Sequence, residues 1–479
     1  MKESYDLVVI GAGPGGYVAA IRGAKRGMKT ALVERRDQLG GTCLLIGCIP
    51  TKELLESTRL YERMQKEAGT RGIEIKDMDA NLRVDLVAMQ ERKDRVIQRL
   101  SKGISSLMKK NRIDVFQGMG RLKPGPRVVV ESAGGGDREL AAKRVILATG
   151  SRPLELDALP FDNPAVMGST GALSLERVPG RLAVIGAGAV GLELGLIYKR
   201  LGADVTIIEM MGQAAPFADR QIARALERSL KAQGIKLKLR TKVQGLERAR
   251  GNAEAVGNAR NVNILLAGPA GEERLETDLV LSAAGRVPNV AGLGLDDCGV
   301  KMNSRSRIEV NEYLETSLEG VYAVGDLVNG PMLAHKAEQD GVVAADNAWG
   351  KKEKADYALV PSAVYTSPEL AQVGMTEEQA REKGLDYSTG LFSFRGNPRA
   401  VTASSDQGMV KVLVVKGSGE LLGVHILGPH ASELVAEAVV AMKFGANAKD
   451  LGHLVHAHPS LSEALKEACL AAMGNGIHS

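Results

Sequence analysis

The sequence is poor in aromatic residues: Phe, Trp and Tyr make up 3% of its 479 positions. Nothing in it offers a row of rings for stacking unpaired bases, so nucleic acid is not an expected partner. Charge of one sign is scarce too. The formal net charge is +5, and the short basic clusters at Lys109–Arg112 and Lys351–Lys354 read as solvated faces. Only four cysteines occur, and Cys298 and Cys469 show no pairing pattern, which excludes a secreted disulfide framework. No run of 18 apolar residues is present, and the start MKESYDLVVIGAG lacks the charged–apolar–small layout of a secretory signal. The expectation is a protein without membrane contact, working where thiols stay reduced. That means a bacterial-type cytoplasm or, after loss of a transit peptide, an organelle matrix. Length alone suggests about three domains.

What is present begins with glycine. Asp6–Ile10 is a short apolar run expected to form a buried parallel strand, and it leads straight into Gly11-Ala12-Gly13-Pro14-Gly15-Gly16 and a helical stretch, Tyr17–Arg26. In this context Gly11 permits the turn, Gly13 lets a pyrophosphate approach the backbone, and Gly16 lets helix and strand pack closely. A second strand, Thr30–Val33, ends at Glu34, whose carboxylate can accept ribose hydroxyls. The pattern then repeats. Strand Leu182–Ile185 runs into Gly186-Ala187-Gly188-Ala189-Val190-Gly191, helix Leu192–Leu201 follows, and strand Asp204–Ile208 ends in Glu209. First glycine and acid are 23 residues apart in both copies, Gly11 to Glu34 and Gly186 to Glu209. Two βαβ units in one register predict two bound dinucleotides. Glu209 favours NAD over NADP by repelling a 2′-phosphate, and Met210-Met211-Gly212-Gln213 bring no arginine to receive one. The bland alternative is that Glu209 merely ends a strand in solvent.

Between the first unit and the rest lies Gly40–Lys52, GGTCLLIGCIPTK, with Cys43 and Cys48 five residues apart. A continuous helix would separate their Cα atoms by ~7.5 Å, beyond the ~6.8 Å a disulfide tolerates. A bond between them therefore needs a bend, which Gly47 and Pro50 allow, and a tight local disulfide suits redox exchange better than a structural staple. The alternative is two unbonded cysteines acting as small hydrophobes.

Further along, helix Leu86–Lys109 is expected to bury Val96, Leu100, Ile104 and Leu107, and strands are expected around Asp114–Gly118, Arg127–Glu131 and Arg144–Leu147. Ala148-Thr149-Gly150-Ser151-Arg152-Pro153 reads as a domain boundary, residues 222–233 as a surface helix, Gly251–Asn261 as a polar hairpin tip, and Gly285-Arg286-Val287-Pro288-Asn289 as the turn closing the second unit. Val321–Val324 is a strand capped by Gly325-Asp326, where the carboxylate either reaches a cofactor hydroxyl or makes an ordinary turn. Met332–Asn347 is helical, with small residues for close packing. From Ala358 the pattern changes to strands followed by helices, an α+β domain with no nucleotide motif. Its end holds His453, His456 and His458, a spacing that lacks a completing metal-ligand pattern. Ser460 and Glu463 form a capping-box pattern, so Glu463 is either a reciprocal cap or the carboxylate that orients His458 for proton exchange with a thiol.

Together these segments resemble the flavin-dependent pyridine-nucleotide disulfide oxidoreductases over essentially the whole chain, on GAGPGGYVAAIR, GGTCxxxGCIPxK, VIGAGAVGLELG, AVGDxxxGPMLAHKAEQDG, VPSAVYTSPELAQVG, ILGPHASELVAEA and HAHPSLSEALKEA. The fold it implies is α/β, with two Rossmann-like domains for FAD and NAD plus a C-terminal α+β dimerisation domain. The boundaries are 1–153, 154–286, a central segment 287–357 completing the FAD site, and 358–479. The first fingerprint, Glu34, Thr149, Gly150, Asp326, Met332 and Ala334 would hold FAD. The second fingerprint, Glu209 and Gly285 would hold NAD. Lys52 and Glu193 match an ion pair beside the flavin ring. Cys43 would exchange with substrate and Cys48 contact the flavin, while His458, oriented by Glu463, would come from the other subunit of a homodimer.

Within the family the match is to the branch that oxidises dihydrolipoyl groups with NAD. Its partners are the lipoyl domains and E2 component of 2-oxoacid dehydrogenase complexes, or a glycine-cleavage H protein. An NADH-linked reductase of another disulfide is the alternative, and a non-catalytic redox sensor would leave both the cysteines and the histidine idle. NADPH-linked relatives carry arginines where Glu209-Met210-Met211 stands, and mercuric reductases end in a cysteine pair where this chain ends GNGIHS. Departures from the family occur at Leu45, at 251–261 and at Arg395–Arg399, none expected to touch the redox residues.

Overall fold

The computed structural model describes residues 3–125, 127–132, 134–248 and 261–478. The expected hairpin tip at Gly251–Asn261 lies, Asn261 apart, outside the described residues. The chain divides into two compact units. One comprises Met1–Leu54, Asp85–Leu154 and Arg286–Tyr357, and the other Leu55–Val84, Glu155–Gly285 and Ala358–Ser479.

The first unit is built on a seven-stranded sheet. Asp114–Gln117, Thr30–Glu34, Glu3–Ile10, Arg138–Leu147 and Val321–Ala323 run parallel, and Arg127–Glu131 and Met119–Lys123 extend it as an antiparallel meander. Apolar residues of alternating parity on Glu3–Ile10 serve its two faces, Leu7 and Val9 on one and Val8 and Ile10 on the other. Helix Pro14–Lys25 packs on helix Ala334–Trp349 almost backbone to backbone. A Cβ on Gly341 would come within 2.3 Å of the Gly15 carbonyl oxygen, so the small residues are a packing requirement. Arg22 and Arg26 both reach buried Asp346 at 2.6–2.9 Å and strap the two helices together.

Helix Leu86–Lys110 corrects one expectation. Its buried face is Lys93, Ile97, Ser101, Ile104 and Met108, while Leu100 and Leu107 are exposed. Ser101 belongs inside because its hydroxyl donates to the Leu39 carbonyl at 2.9 Å, a satisfied polar contact that hydropathy does not register.

The second unit contains a five-stranded parallel sheet ordered Lys236–Leu239, Asp204–Glu209, Arg181–Ile185, Leu279–Ser282 and Val166–Met167. A three-stranded antiparallel sheet, Lys242–Arg248 with Val262–Gly268 and Gly271–Thr277, shares its core. From Ala358 onward the unit forms an antiparallel sheet ordered Ser362–Val364, Glu369–Gly374, Leu421–Gly428, Met409–Val415 and Tyr387–Ser393. Helices Ala431–Lys443 and Glu463–Ala472 bury their apolar faces against it. Among the described residues no helix is long and apolar enough to cross a membrane.

Candidate functional site

Both glycine-rich turns are built alike. Gly11 (φ +102°) and Gly186 (φ +105°) stand where a Cβ would lie 2.5 Å from a carbonyl oxygen, of Ala148 and Ala283 respectively. A Cβ on Gly16 would lie 1.8 Å from the Gly11 oxygen, and one on Gly191 2.0 Å from the Gly186 oxygen. These are the strand–helix contacts that only glycine permits. The middle glycines differ from the outer two. Among the described residues, a Cβ on Gly13 would find only the Gly41 Cα, at 3.9 Å, and one on Gly188 would find nothing within 4 Å. Neither position is blocked by a close contact, since Gly41 stands over Gly13 only at van der Waals distance, so a pyrophosphate can approach either backbone.

The acids also match. Glu34 accepts the Ala12 N–H at 2.7 Å and the Arg36 N–H at 3.0 Å, while Glu209 accepts the Ala187 N–H and the Met211 N–H, both at 2.8 Å. Both carboxylates are buried, so Glu209 does not end its strand in solvent. About four acceptor positions on a carboxylate leave two for ribose hydroxyls. A cation missed by local reading joins the second site. Arg240, after strand Lys236–Leu239, donates its N–H to the Met211 carbonyl at 2.9 Å, and its guanidinium would lie 3.3 Å from a Cβ on Gly212.

The cysteine segment is broken where a bend was needed. Helix Gly41–Ile46 ends at Gly47, and Cys48 opens the next helix, Cys48–Glu67. A Cβ at Gly47 would come within 2.7 Å of the Thr42 oxygen, and Thr51 ties down the break by donating its hydroxyl to the Gly47 carbonyl at 2.7 Å. The side chains of Cys43 and Cys48 are hydrogen bonded to each other as thiols, which joins the predicted pair. That bond and burial push the Cys43 thiol far up, Lys52 opposes, and Glu338 adds to the rise. The segment is docked on the first glycine turn: Gly40 donates to the Ala12 carbonyl at 3.0 Å, and a Cβ on Gly41 (φ +60°) would lie 2.4 Å from the Gly13 Cα. Lys52 lies one helical turn beyond Cys48, in the first unit, whereas Glu193 lies in the second and accepts the Tyr365 N–H at 3.0 Å.

Thr149 and Gly150 are fixed by Asn289. The Thr149 hydroxyl donates to the Asn289 carbonyl at 2.7 Å, and the Asn289 N–H donates to the Gly150 carbonyl at 2.9 Å. Asp326 accepts the Ser151 hydroxyl, which in turn takes Nε–H of Arg286 at 2.7 Å. Sequence reading placed Arg286 in a turn of the second nucleotide unit. It belongs instead with the first, because Arg286–Pro288 pairs antiparallel with Ser151–Pro153. Burial lowers its guanidinium pKa, opposed first by Asp326 and then by Cys48, which puts a cation in the neighbourhood of Cys48 that no local motif announced. Met332 and Ala334 stand at the start of helix Ala334–Trp349, which has neither a side-chain cap nor an acid in its first turn. Gly285 (φ +137°) ends its segment of the second unit.

At the C-terminal end, Nδ1 of His458 lies 2.9 Å from Glu463, whose other oxygen accepts the Ser460 N–H at 2.8 Å. The carboxylate therefore makes both contacts, one oxygen on the imidazole and the other on the Ser460 N–H. The reciprocal half of the capping box is absent, since Ser460 Oγ bonds Ser462 Oγ. Burial raises the Glu463 carboxyl, but Ser460 and His458 outweigh it and hold it below its ordinary value. His456 pairs with Glu437 at 2.8 Å and His453 with the Lys449 carbonyl at 2.8 Å, so the three histidines face separate partners. The Arg395–Arg399 segment is less remote than expected. Buried Asn397 donates to the Ser460 carbonyl at 2.9 Å and caps helix Pro398–Thr402, bracing the histidine segment.

Comparison with known proteins accounts for this combination. The pyridine nucleotide-disulphide oxidoreductase model matches residues 5–341, and that family's dimerisation-domain model matches 360–469. The chain belongs to the pyridine nucleotide-disulphide oxidoreductase family, flavoproteins that bind FAD and a pyridine nucleotide. It is 42% identical to the mitochondrial dihydrolipoyl dehydrogenase of Pisum sativum over 479 residues, covering 100% of this chain and 93% of the relative. It is 43% identical to a leghemoglobin reductase of Vigna unguiculata, covering 98% of this chain and 88% of that one. Among solved structures, LpdA from Mycobacterium tuberculosis superposes with a TM-score of 0.86 at 26% identity, covering 98% of this chain and 99% of that one.

Proposed function

We propose that this protein is a dihydrolipoamide dehydrogenase acting as a homodimer. The observation that carries the reading is the Cys43–Cys48 thiol pair seated on the first nucleotide turn, and the identity to dihydrolipoyl dehydrogenases along the whole chain supports it. Residues 1–153 bind FAD, 154–285 bind NAD, 286–357 complete the FAD site, and 358–479 make the dimer interface. FAD is held by Gly11, Gly13, Gly16, Glu34, Thr149, Gly150, Asp326, Met332 and Ala334, with Lys52 and Glu193 beside its ring. NAD is held by Gly186, Gly188, Gly191, Glu209 and Gly285.

In the oxidised enzyme the two cysteine sulfurs are bonded. A dihydrolipoyl arm offers its dithiol, and His458 of the partner subunit removes one proton. With Nδ1 committed to the carboxylate, Nε2 is the nitrogen left for proton transfer. The resulting thiolate attacks Sγ of Cys43, so a substrate–Cys43 bond forms while the Cys43–Cys48 bond breaks and Cys48 leaves as thiolate. The second substrate thiol loses its proton and displaces Cys43, giving substrate disulfide and leaving two electrons on the cysteine pair. FAD, when bound, supplies the two-electron acceptor for that pair, and NAD⁺ the final hydride acceptor. The partners are lipoyl domains of a 2-oxoacid dehydrogenase complex or of the glycine-cleavage system, in a bacterial-type cytoplasm.

Steady-state NADH formation with dihydrolipoamide tests the activity, and a rate no better than with unrelated dithiols overturns it. Mixing inactive Cys43→Ser and His458→Gln subunits tests the shared site: heterodimers recover activity if the two residues meet across chains, and stay inactive otherwise. The leghemoglobin reductase relative favours one second reading, an NADH-linked reductase of a different acceptor, which the same assay run with other disulfides and haem proteins separates.

A further inference from the structure

Behind the Gly325-Asp326 turn sits a buried ion pair that the mechanism leaves without a task. Lys336 and Asp340, both 1% exposed, lie one turn apart on helix Ala334–Trp349 with Nζ 2.7 Å from Oδ2. Both groups act on one residue. The Gly325 N–H donates to Asp340 Oδ2 at 2.9 Å, and the Gly325 carbonyl accepts from Lys336 Nζ at 2.9 Å. Tyr357 completes the arrangement: its hydroxyl donates to Asp340 Oδ1 at 2.9 Å, and its ring lies 4.8 Å from Lys336 Nζ. Gly330 (φ +114°) makes the room, since a Cβ there would stand 3.2 Å from Lys336 Cε and 3.6 Å from the tyrosine ring.

A buried pair of this kind is weak evidence for stability, because well-packed apolar residues often replace one at no loss. What it supplies here is geometry. Gly325 has φ +68°, and both hydrogen-bonding groups of that residue are gripped by the same pair. Asp326 follows immediately, with its carboxylate taking the Ser151 hydroxyl. Its backbone is thus set from behind and its side chain from the front.

We propose that Lys336, Asp340 and Tyr357 are positioning residues, a clamp that holds Asp326 in place for its cofactor hydroxyl. The inference rests on the reading that Asp326 binds FAD. It is tested on the full-length apoprotein by titrating FAD and following flavin fluorescence, with thermal unfolding of each apoprotein measured alongside. Asp326→Ala is expected to weaken FAD binding ~10- to 100-fold, as loss of a hydrogen bond to a charged group does. Tyr357→Phe keeps the ring and removes one hydrogen bond, with an expected loss of ~3- to 10-fold. Lys336→Met is expected to cost more. If the clamp acts through Asp326, Tyr357→Phe costs nothing further in an Asp326→Ala background. Unchanged FAD affinity in Tyr357→Phe, or losses that multiply in the double variant, overturns the clamp alone. So does a lowered apoprotein unfolding temperature with FAD affinity unchanged, the mark of a merely structural brace. Unchanged affinity in Asp326→Ala overturns the clamp and the Asp326 reading together.

Discussion

Over Gly13 of the first glycine turn stands the cysteine segment, with Gly41 closest; over Gly188 of the second a Cβ would meet no atom of the described residues within 4 Å. The turns otherwise agree in strand, positive-φ glycine, close third glycine and buried acid. The difference shows how one binding device serves two ends: the first turn carries redox groups against its own backbone, and the second is left open on that side. The helices after the turns repeat the likeness, each tied down by arginine near its C-terminal end. Arg22 and Arg26 bind Asp346 in the first, and Arg200 binds Glu62 at 2.8 Å in the second.

Loss of the redox groups should break the comparison most severely. Cys48→Ser is expected to cut dithiol turnover by at least ~1,000-fold, the scale seen when one member of a catalytic unit is removed. Flavin content and NADH binding should be unchanged, and retained turnover would contradict the assignment. His458→Gln should cost ~100- to 10,000-fold in the same assay with flavin content unaltered.

The middle glycines sharpen the comparison next. A Cβ fits in the protein at both Gly13 and Gly188, so Gly13→Ala and Gly188→Ala should unfold near the wild-type temperature. Each should lose its own nucleotide by ~10- to 100-fold, the equivalent of about 1–3 kcal/mol of overpacking. Flavin content falls for the first, and the KM for NAD rises for the second. Glu209→Gln should then narrow the preference for NADH over NADPH by about tenfold, since removing a like charge relieves repulsion of the 2′-phosphate. Arg240→Ala measured beside it shows how far the nearby cation already offsets that repulsion.

The smallest effect concerns the helix ties. Buried Asp346 would be raised by desolvation, but Arg22 and Arg26 outweigh this and hold its carboxyl well below the ordinary 3.8. Its stabilisation is therefore complete above that value and is lost as pH falls below it toward the lower folded value. Asp346→Asn should cost about 1.5–3 kcal/mol at neutral pH. The gap from wild type should close as unfolding is followed from about pH 5 to about pH 2.

Much of the site was legible in the sequence because the chemistry is local there. A strand, a tight turn and a helix need glycines at set positions, and Gly11 to Glu34 spans a single βαβ unit. The cysteine bend was legible for the same reason, since helix geometry alone required a break near Gly47. Helix Leu86–Lys110 shows where that reasoning fails. A hydropathy pattern counted Leu100 and Leu107 as core and missed Ser101, whose place inside depends on the carbonyl of Leu39. The role of Glu463 stayed open because a cap and a histidine partner look identical in sequence, and only coordinates show one carboxylate oxygen on each.

By itself the sequence determined the two nucleotide turns, the cysteine pair and the histidine segment, all patterns that close within about thirty residues. Tertiary structure decided the contacts that bring distant segments together. These are Gly41 against Gly13, Arg286 against Ser151, Asn397 against Ser460, and Lys336, Asp340 and Tyr357 around Gly325. Such contacts depend on strand pairing and helix packing, where partners are chosen by the geometry of the whole unit, and spacing along the chain carries no record of them.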